Sequence, residues 1–406
     1  MNDKQITWIN LPEDPSDSDE PPDPNPRPAR PWRVAVIANL RGHSALPMEG
    51  PADAGADFDP IETIQAIQNA IATDGHDVQF LPADAELPFR LRDFKPDICF
   101  NIAEGLGGDA REAQIPALLE LLRIPYTASR VLTNAVALDK TMTKRIWREM
   151  GLPTANYQEF ATGNEPLARD MRFPMFVKPA REGTGMGMDM GAIVHNETDL
   201  RRRVIWVIEN YRQPALVEEY LSGREFTVGV LGRQDSLFYT RRPDIYGPDG
   251  FARLPVLEVD HSSSLTPGVY GVAAKKLSPG EEGVPGFLCP APIDPLTAQR
   301  LQKLAIRAHL ALGGTDVSRV DMRMDAQGRP RLLEINSLPG LTPDFSDLCV
   351  IGNAIGLGFT DLILEILYLG ASRYGLLNPR RVAITNLVRP KVMARRSAQR
   401  PAISSI

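Results

Sequence analysis

Asp321, Glu334 and Asn336 carry the clearest chemistry in the chain. Asp321 lies in Ser-Arg-Val-Asp-Met-Arg-Met, and the other two lie in Arg-Leu-Leu-Glu-Ile-Asn-Ser. If these runs are neighbouring strands, residues 334 and 336 share a face and their oxygens converge with Asp321 across the ladder. Hard oxygen ligands without His or Cys suit a magnesium ion that also binds polyphosphate. The plainer alternative is a pair of surface strands with solvated acids. Both acids interrupt apolar runs, however, where an unpaired charge is costly. A second group is Arg181–Gly191, which follows Phe176-Val177-Lys178-Pro179 and contains Glu182, Gly183, Thr184, Gly185 and Gly187. Its glycines let backbone N–H groups curl around phosphate oxygens, and Lys178 adds positive charge. The same alternation also fits a flexible hairpin, and no Gly-Lys-Ser/Thr of a P-loop follows. The third group is Leu216–Phe226, where Glu218 and Tyr220 project to one side of a strand and Glu225 follows a Ser222-Gly223 turn. Alone, that is an ordinary edge-strand pattern. The five histidines are too scattered for a metal cluster, and His261 reads as a polar loop residue rather than a general base.

The elements that must position these groups follow from periodicity. Strands at Trp32–Leu40, Val78–Leu81 and Ile98–Ile102 alternate with helices at Pro60–Thr73 and Ala113–Leu122. This spacing predicts a Rossmann-like parallel α/β domain over 32–138. Its first turn, Asn-Leu-Arg-Gly-His-Ser, lacks the dinucleotide fingerprint. A central unit over 139–225 opens on a helix from Lys140 to Met150, stopped by Gly151-Leu152-Pro153. It continues with strands at Met175–Lys178, Ala192–Val194 and Leu216–Tyr220 and a helix over 197–209. A third unit, 226–376, begins with a strand over Phe226–Leu231. Helices at Pro295–Leu312 and Asp361–Leu369 frame strands Val317–Met324 and Pro330–Glu334, joined by the turn-like Ala326–Arg329.

Composition sets the outer bounds. The 406 residues are 43% hydrophobic and 24% charged, enough for a sizeable core and a solvated surface. The net charge of -6 gives no global reason for nucleic-acid binding. Cys99, Cys289 and Cys349 are far apart and form no disulfide or metal framework, so a reducing, cytoplasmic compartment is expected. No signal peptide or membrane span is expected, since Glu365 interrupts the apolar run Leu362–Leu369. Residues 1–31 hold eight of the 36 prolines and many acids, and read as a disordered extension. Residues 377–406 carry seven basic residues and no acid, a loosely packed tail. An RNA contact there would lack aromatics and a fold motif.

Taken in order, Glu104–Ser129, Ala137–Lys144, Phe173–Met188, Leu216–Leu231, the loop ending in Val272–Lys276, Ser318–Met324 and Leu332–Thr342 resemble the D-alanine–D-alanine ligase branch of the ATP-grasp superfamily. The resemblance runs from Arg33 to Gly370. It implies an α/β, three-domain ATP-grasp fold and an ATP-dependent, ADP-forming ligase that joins small-molecule carboxylate and amine substrates. By this resemblance, Lys140 and Lys178 meet the nucleotide phosphates and the loop with Glu182, Gly183, Gly185 and Gly187 closes over them. Glu218, Tyr220 and Leu221 surround the adenine, and Glu225 holds the ribose. Asp321, Glu334 and Asn336 are the Mg2+ ligands. Lys275 covers the transferred phosphate, while Arg319 and the Gly340 backbone stabilise the acyl oxygens. A homodimer fits the resemblance, though no surface pattern establishes it. The chemistry implied is activation of a carboxylate, whose own leaving group would be oxide, as an acyl phosphate that an amine then attacks.

Departures cluster at the substrate end. A His-Gly pair of the ligases is here Glu104-Gly105, and their Gly-Glu-Asp-Gly is Gly108-Asp109-Ala110-Arg111. Glu104 is placed either to pair with Arg111 or Arg41 or to receive a substrate ammonium. Lys-Tyr becomes Lys275-Lys276, and the loop serines become Thr184-Gly185. Thr184 keeps a hydroxyl, but Lys276 cannot accept a hydrogen bond. The early family glutamate has no clean counterpart, leaving Asp57, Asp59 or Glu62. The serine expected three residues after Thr342 is displaced to Ser346. The expected activity is therefore a ligase for an amino acid or related metabolite other than D-alanine pairs. A true D-alanine–D-alanine ligase and a non-catalytic ATP-binding regulatory protein are the alternatives.

Overall fold

The computed structural model describes residues 30–43, 51–234, 240–261, 269, 271 and 285–377. Most of the N-terminal extension, Lys275 with its loop and the basic tail from residue 378 lie outside them.

β1 (Arg33–Ala38), β2 (Asp77–Pro82) and β3 (Ile98–Asn101) form a parallel sheet in the order β2-β1-β3, with Val34 level with Val78 and Ile98. α1 (Ile61–Ala72) lays Ile64, Ile67, Ala70 and Ile71 on it, while Ile61, first in the periodic stripe, faces outward. α2 (Leu87–Phe94) escaped the periodicity because it is short and opens on proline; it buries Leu87, Leu91 and Phe94. α3 (Gln114–Leu122) matches the helix expected over 113–122, whereas α4 (Val131–Leu138), rich in residues of modest helix propensity, forms where the periodicity predicts none. α5 (Lys140–Glu149) is capped by the Asp139 carboxylate, which accepts from the Met142 N–H at 2.9 Å.

The second sheet is antiparallel, order β4-β7-β5-β6, from β4 (Tyr157–Phe160), β5 (Met175–Pro179), β6 (Ile193–Val194) and β7 (Ala215–Glu219). α6 (Glu197–Tyr211) packs on it through Leu200, Val204 and Val207. The third sheet contains β8 (Glu225–Gly232), β9 (Val256–Asp260), β10 (Gly286–Leu288), β11 (Asp316–Met324) and β12 (Pro330–Asn336), in the order β10-β9-β8-β11-β12. α7 (Pro295–Ala311) covers it, and α8 (Asp347–Asn353) and α9 (Phe359–Arg373) follow.

The apolar run Leu362–Leu369 is a core helix. Leu362, Ile363 and Leu367 of α9 share one core with Val34, Val36, Ile64 and Phe100 of the first sheet. Glu365 interrupts the run in sequence but is satisfied in place, accepting from the Tyr246 hydroxyl at 2.8 Å and the Arg241 N–H at 3.0 Å. Arg373 at the end of α9 donates to the Tyr126 and Ala128 carbonyls and to Asp316 at 2.9 Å or less, tying first and third sheets together. Among the described residues no helix is long and apolar enough to cross a membrane, and the three cysteines are free.

His309 of α7 is fully buried, with Nδ1 2.8 Å from the Ser318 hydroxyl. Burial pushes its imidazole down to about 4. Below about pH 6.5 the unfolded chain takes up a proton that the native state refuses, so stability is complete above that pH and falls by roughly 3 kcal/mol as pH approaches 4. Urea unfolding between pH 7 and 4.5 should show that loss in the wild type and a flatter profile in His309→Asn. Identical slopes would remove His309 as its source.

Candidate active site

β11 and β12 run antiparallel in a register that sets Asp321 opposite Glu334 and Arg319 opposite Asn336, with an irregularity between Asp321 and Met322. The Asn336 amide donates to Asp321 Oδ2 at 3.1 Å. Asp321 also accepts from the Thr227 hydroxyl of β8 at 2.7 Å and from Arg319 at 3.1 and 2.9 Å. The solvated-strand alternative therefore does not hold, because these polar side chains are engaged on the sheet face. Arg319 reaches Asp347 as well, at 3.3 Å.

Lys140, the first residue of α5, stands 3.4 Å from Glu334 and donates to the Glu182 carbonyl, joining the glycine-rich loop to the carboxylates. Lys178 and Lys144 flank Glu218 at 2.7 and 2.5 Å, all three buried. Burial alone would raise the Glu218 carboxyl, but the two ammonium groups outweigh it and hold the group below its ordinary range. Glu218 is thus the anchor of a buried triad, not simply a side chain presented beside Tyr220. The strand ends at Glu219, and Tyr220 lies beyond it under the Arg323 guanidinium, 5.3 Å from the ring centre. Glu225 accepts from His261 at 2.9 Å and lies 3.5 Å from Arg323, so His261 positions a site carboxylate.

Residues 181–191 form successive turns, with Met186 bonded back to Gly183 and Met188 to Gly185, and the hairpin alternative is not formed. Thr184, Gly185 and Gly187 have positive φ. At Gly187 a Cβ would fall 2.7 Å from the Pro179 ring, so close approach as well as backbone angle requires glycine. The loop is fastened from outside. Asp53 accepts from the Gly187 N–H at 2.9 Å and from the Tyr211 hydroxyl, and Arg111 donates to the Arg181 carbonyl at 2.8 Å.

Two adjoining cavities result. The first is lined by Lys178, Met188, Tyr220, Leu221, Glu225 and Asp321. The second is lined by Asp59, Glu104, Glu112, Thr184, Gly340 and Ser346; Arg319, Glu334 and Asp347 border both. Gly340 faces Ser346, whose hydroxyl accepts from the Thr342 N–H at 2.9 Å, so the displaced serine returns to this wall. Arg111 pairs with Asp57 at 3.1 Å and Glu182 at 3.2 Å, and Arg41 donates to the Phe58 carbonyl. Glu104 forms an ion pair with neither arginine. Of the candidates for the early acid, Glu62 is exposed on α1, while Asp57 and Asp59 both line the second cavity, Asp57 paired with Arg111.

Sequence reading missed Lys144, Thr227, Asp53, Glu112 and Asp347. Lys144 carried a signal, lying one helical turn after Lys140. Thr227 faces Asp321 through the β8–β11 register. Asp53 had none, because its partners Gly187 and Tyr211 are distant in the chain.

Residues 146–368, more than half of the chain, match the family profile described as D-ala D-ala ligase C-terminus. A D-alanine–D-alanine ligase of Pseudomonas entomophila is 34% identical over 306 residues, 74% of this chain and 85% of that one. The chain belongs to the D-alanine–D-alanine ligase family. Within that family it is also similar to an uncharacterised protein, y4sG, of Sinorhizobium fredii, at 32% identity over 86% of this chain and 92% of the other. The crystal structure of the Bacillus anthracis D-alanine–D-alanine ligase complexed with ATP superposes with a TM-score of 0.61 at 21% identity, covering 84% of this chain and 97% of that one. The fold is therefore the ATP-grasp fold of the D-alanine–D-alanine ligases.

Among the described residues no three His, Cys, Asp or Glu side chains gather as a self-sufficient metal site. Two carboxylates and an amide on one sheet face fit a magnesium ion that takes its remaining oxygens from polyphosphate and water.

Proposed function

We propose that the chain is an ATP-dependent, ADP-forming carboxylate–amine ligase acting on an amino acid or related metabolite other than a pair of D-alanines. The observation that carries this reading is Asp321 opposite Glu334, with Asn336 on the same carboxylate and Lys140 spanning from Glu334 to the glycine loop. Family membership supports the ligase chemistry.

In this reading Asp321, Glu334 and Asn336 hold magnesium, which when bound neutralises polyphosphate charge and orients the transferring group. Lys140 and Lys178 supply positive charge to the phosphates, with Lys178 fixed by Glu218. Tyr220, Leu221 and Glu225 take the nucleoside end. Arg319, braced by Asp321 and Asp347, stands with the Gly340 N–H on the wall of the second cavity, where negative charge develops on the acyl oxygen. Thr184 on the fastened loop meets the donor substrate and helps exclude water, which would hydrolyse an activated acyl group. Lys275 is assigned to the transferred phosphate.

The names of the Pseudomonas relatives favour the D-alanine alternative. Against it stand Glu104 and Arg111, which replace a His and a Gly near the first substrate. With ATP, magnesium and millimolar D-alanine, the purified protein should yield little dipeptide, read by ADP release and product mass. Abundant D-alanyl-D-alanine would establish the alternative. Nucleotide binding without ADP release across a broad carboxylate and amine panel would remove the enzymatic reading.

A further inference from the structure

Among the described residues, the acidic side chains lining the second cavity outnumber the cations on its wall, Lys140 and Arg319. Arg111 is committed to Asp57 and Glu182, Arg319 to Asp321 and Asp347, and Lys140 to Glu334 and the Glu182 carbonyl. Three further carboxylates on the wall, Asp59, Glu104 and Glu112, have no ion pair or side-chain hydrogen bond within the described residues. Their positions are imposed by the backbone. Gly105, at φ 80°, packs so tightly that a Cβ would fall 2.3 Å from the Arg111 carbonyl oxygen, and its N–H is pinned by Asn39 at 2.8 Å. Glu104 and the Arg111-Glu112 turn are thereby held against each other. The Asp59 N–H is bonded to the Asn39 carbonyl, so the same asparagine anchors both segments.

We propose that this cavity selects a substrate with a fixed cationic group in addition to its reacting amine or carboxylate, a basic amino acid or an α,ω-diamine, received by Asp59, Glu104 and Glu112. The proposal rests on the ligase reading and deepens it by naming the substrate class.

Of a pair of neutral amino acids only the donor keeps an α-ammonium group, since the acceptor amine must lose its proton to attack; three uncommitted carboxylates match a ligand of higher positive charge. Burial together with neighbouring acids raises Glu104 well above the ordinary carboxylate range, and burial pushes Glu112 and Asp59 up to about 7. Each is therefore costly to ionise alone, and a cation set among them relieves both the desolvation and the mutual repulsion. The position beside Arg319 and Gly340 puts such a ligand next to the acyl-transfer wall.

The test is a panel assay on the full-length protein with ATP and magnesium, reading ADP release and product mass. The substrates are glycine, both enantiomers of alanine, glutamate, ornithine, lysine and arginine, with putrescine and spermidine as added amines. The best basic substrate should exceed the best neutral one at least tenfold in kcat/KM. Glu104→Gln, Glu112→Gln and Asp59→Asn should each erode that preference about tenfold while keeping affinity for a non-hydrolysable ATP analogue. Neutral or acidic substrates turned over as well as basic ones would overturn the charge proposal and leave the ligase reading standing. ADP release with none of them would count against both. If the variants lose stability, calorimetric titration of the wild type and its nucleotide-analogue complex with ornithine, putrescine and alanine decides. Tighter binding of ornithine and putrescine than of alanine supports the proposal, and equal or weaker binding overturns it.

Discussion

Glu334→Ala should lower magnesium- and ATP-dependent turnover about a thousandfold, the scale of the several kcal/mol that a bound divalent ion contributes to a transition state. The reason is positional. Glu334 is the carboxylate set directly across the ladder from Asp321, and it is the acid that Lys140 approaches. Its removal leaves Asp321, already shared among Arg319, Thr227 and Asn336, as the one carboxylate of the proposed ligand set. The side chain is partly exposed, so the fold should tolerate the change and the thermal midpoint should shift little. Rates from single-turnover and steady-state ADP release, beside calorimetric magnesium–nucleotide affinity, check this. Activity within tenfold of wild type in a folded variant would end the assignment of Glu334 to the metal.

Glu218→Ala should cost stability as well as nucleotide binding, because it strips the common partner from two buried ammonium groups. Lys144 keeps the Thr154 hydroxyl at 2.7 Å and the Leu332 carbonyl at 3.2 Å, but Lys178 has no comparable replacement. Breaking a buried pair by removing one partner typically costs about 3–5 kcal/mol, far more than an exposed pair is worth. Urea unfolding should register a loss of that size, and Glu218→Ala with Lys178→Met should recover part of it by removing a charge that was left unpaired. A single-variant loss below 1 kcal/mol, or a double variant no better than the single one, would show that the triad is solvated and that Glu218 is not its anchor.

The two variants separate roles that look alike in sequence. Glu218 and Glu334 are both acids at the ends of apolar runs, yet one is sealed between lysines and the other stands at the border of two cavities. Burial decides which substitution acts mainly on folding and which on turnover.

Much of the site was legible from residue order alone. Strand periodicity puts Glu334 and Asn336 on one face, and a hairpin-like return places them beside Asp321, because side-chain alternation and ladder pairing are local rules. The glycine run and Lys178 were readable from residue type, whereas Lys140 entered only through the family resemblance. The resemblance also marked departures at Glu104, Arg111 and Lys276, the last of which lies outside the described residues. Only the tertiary structure decided which partners the described side chains take. Arg111 turns to Asp57 and Glu182 instead of Glu104, Asp53 reaches across to fasten Gly187 and Tyr211, and Lys144 joins Lys178 on one carboxylate. Such partners are set by packing between distant segments, where burial makes each charge seek the nearest counter-charge whatever its place in the chain.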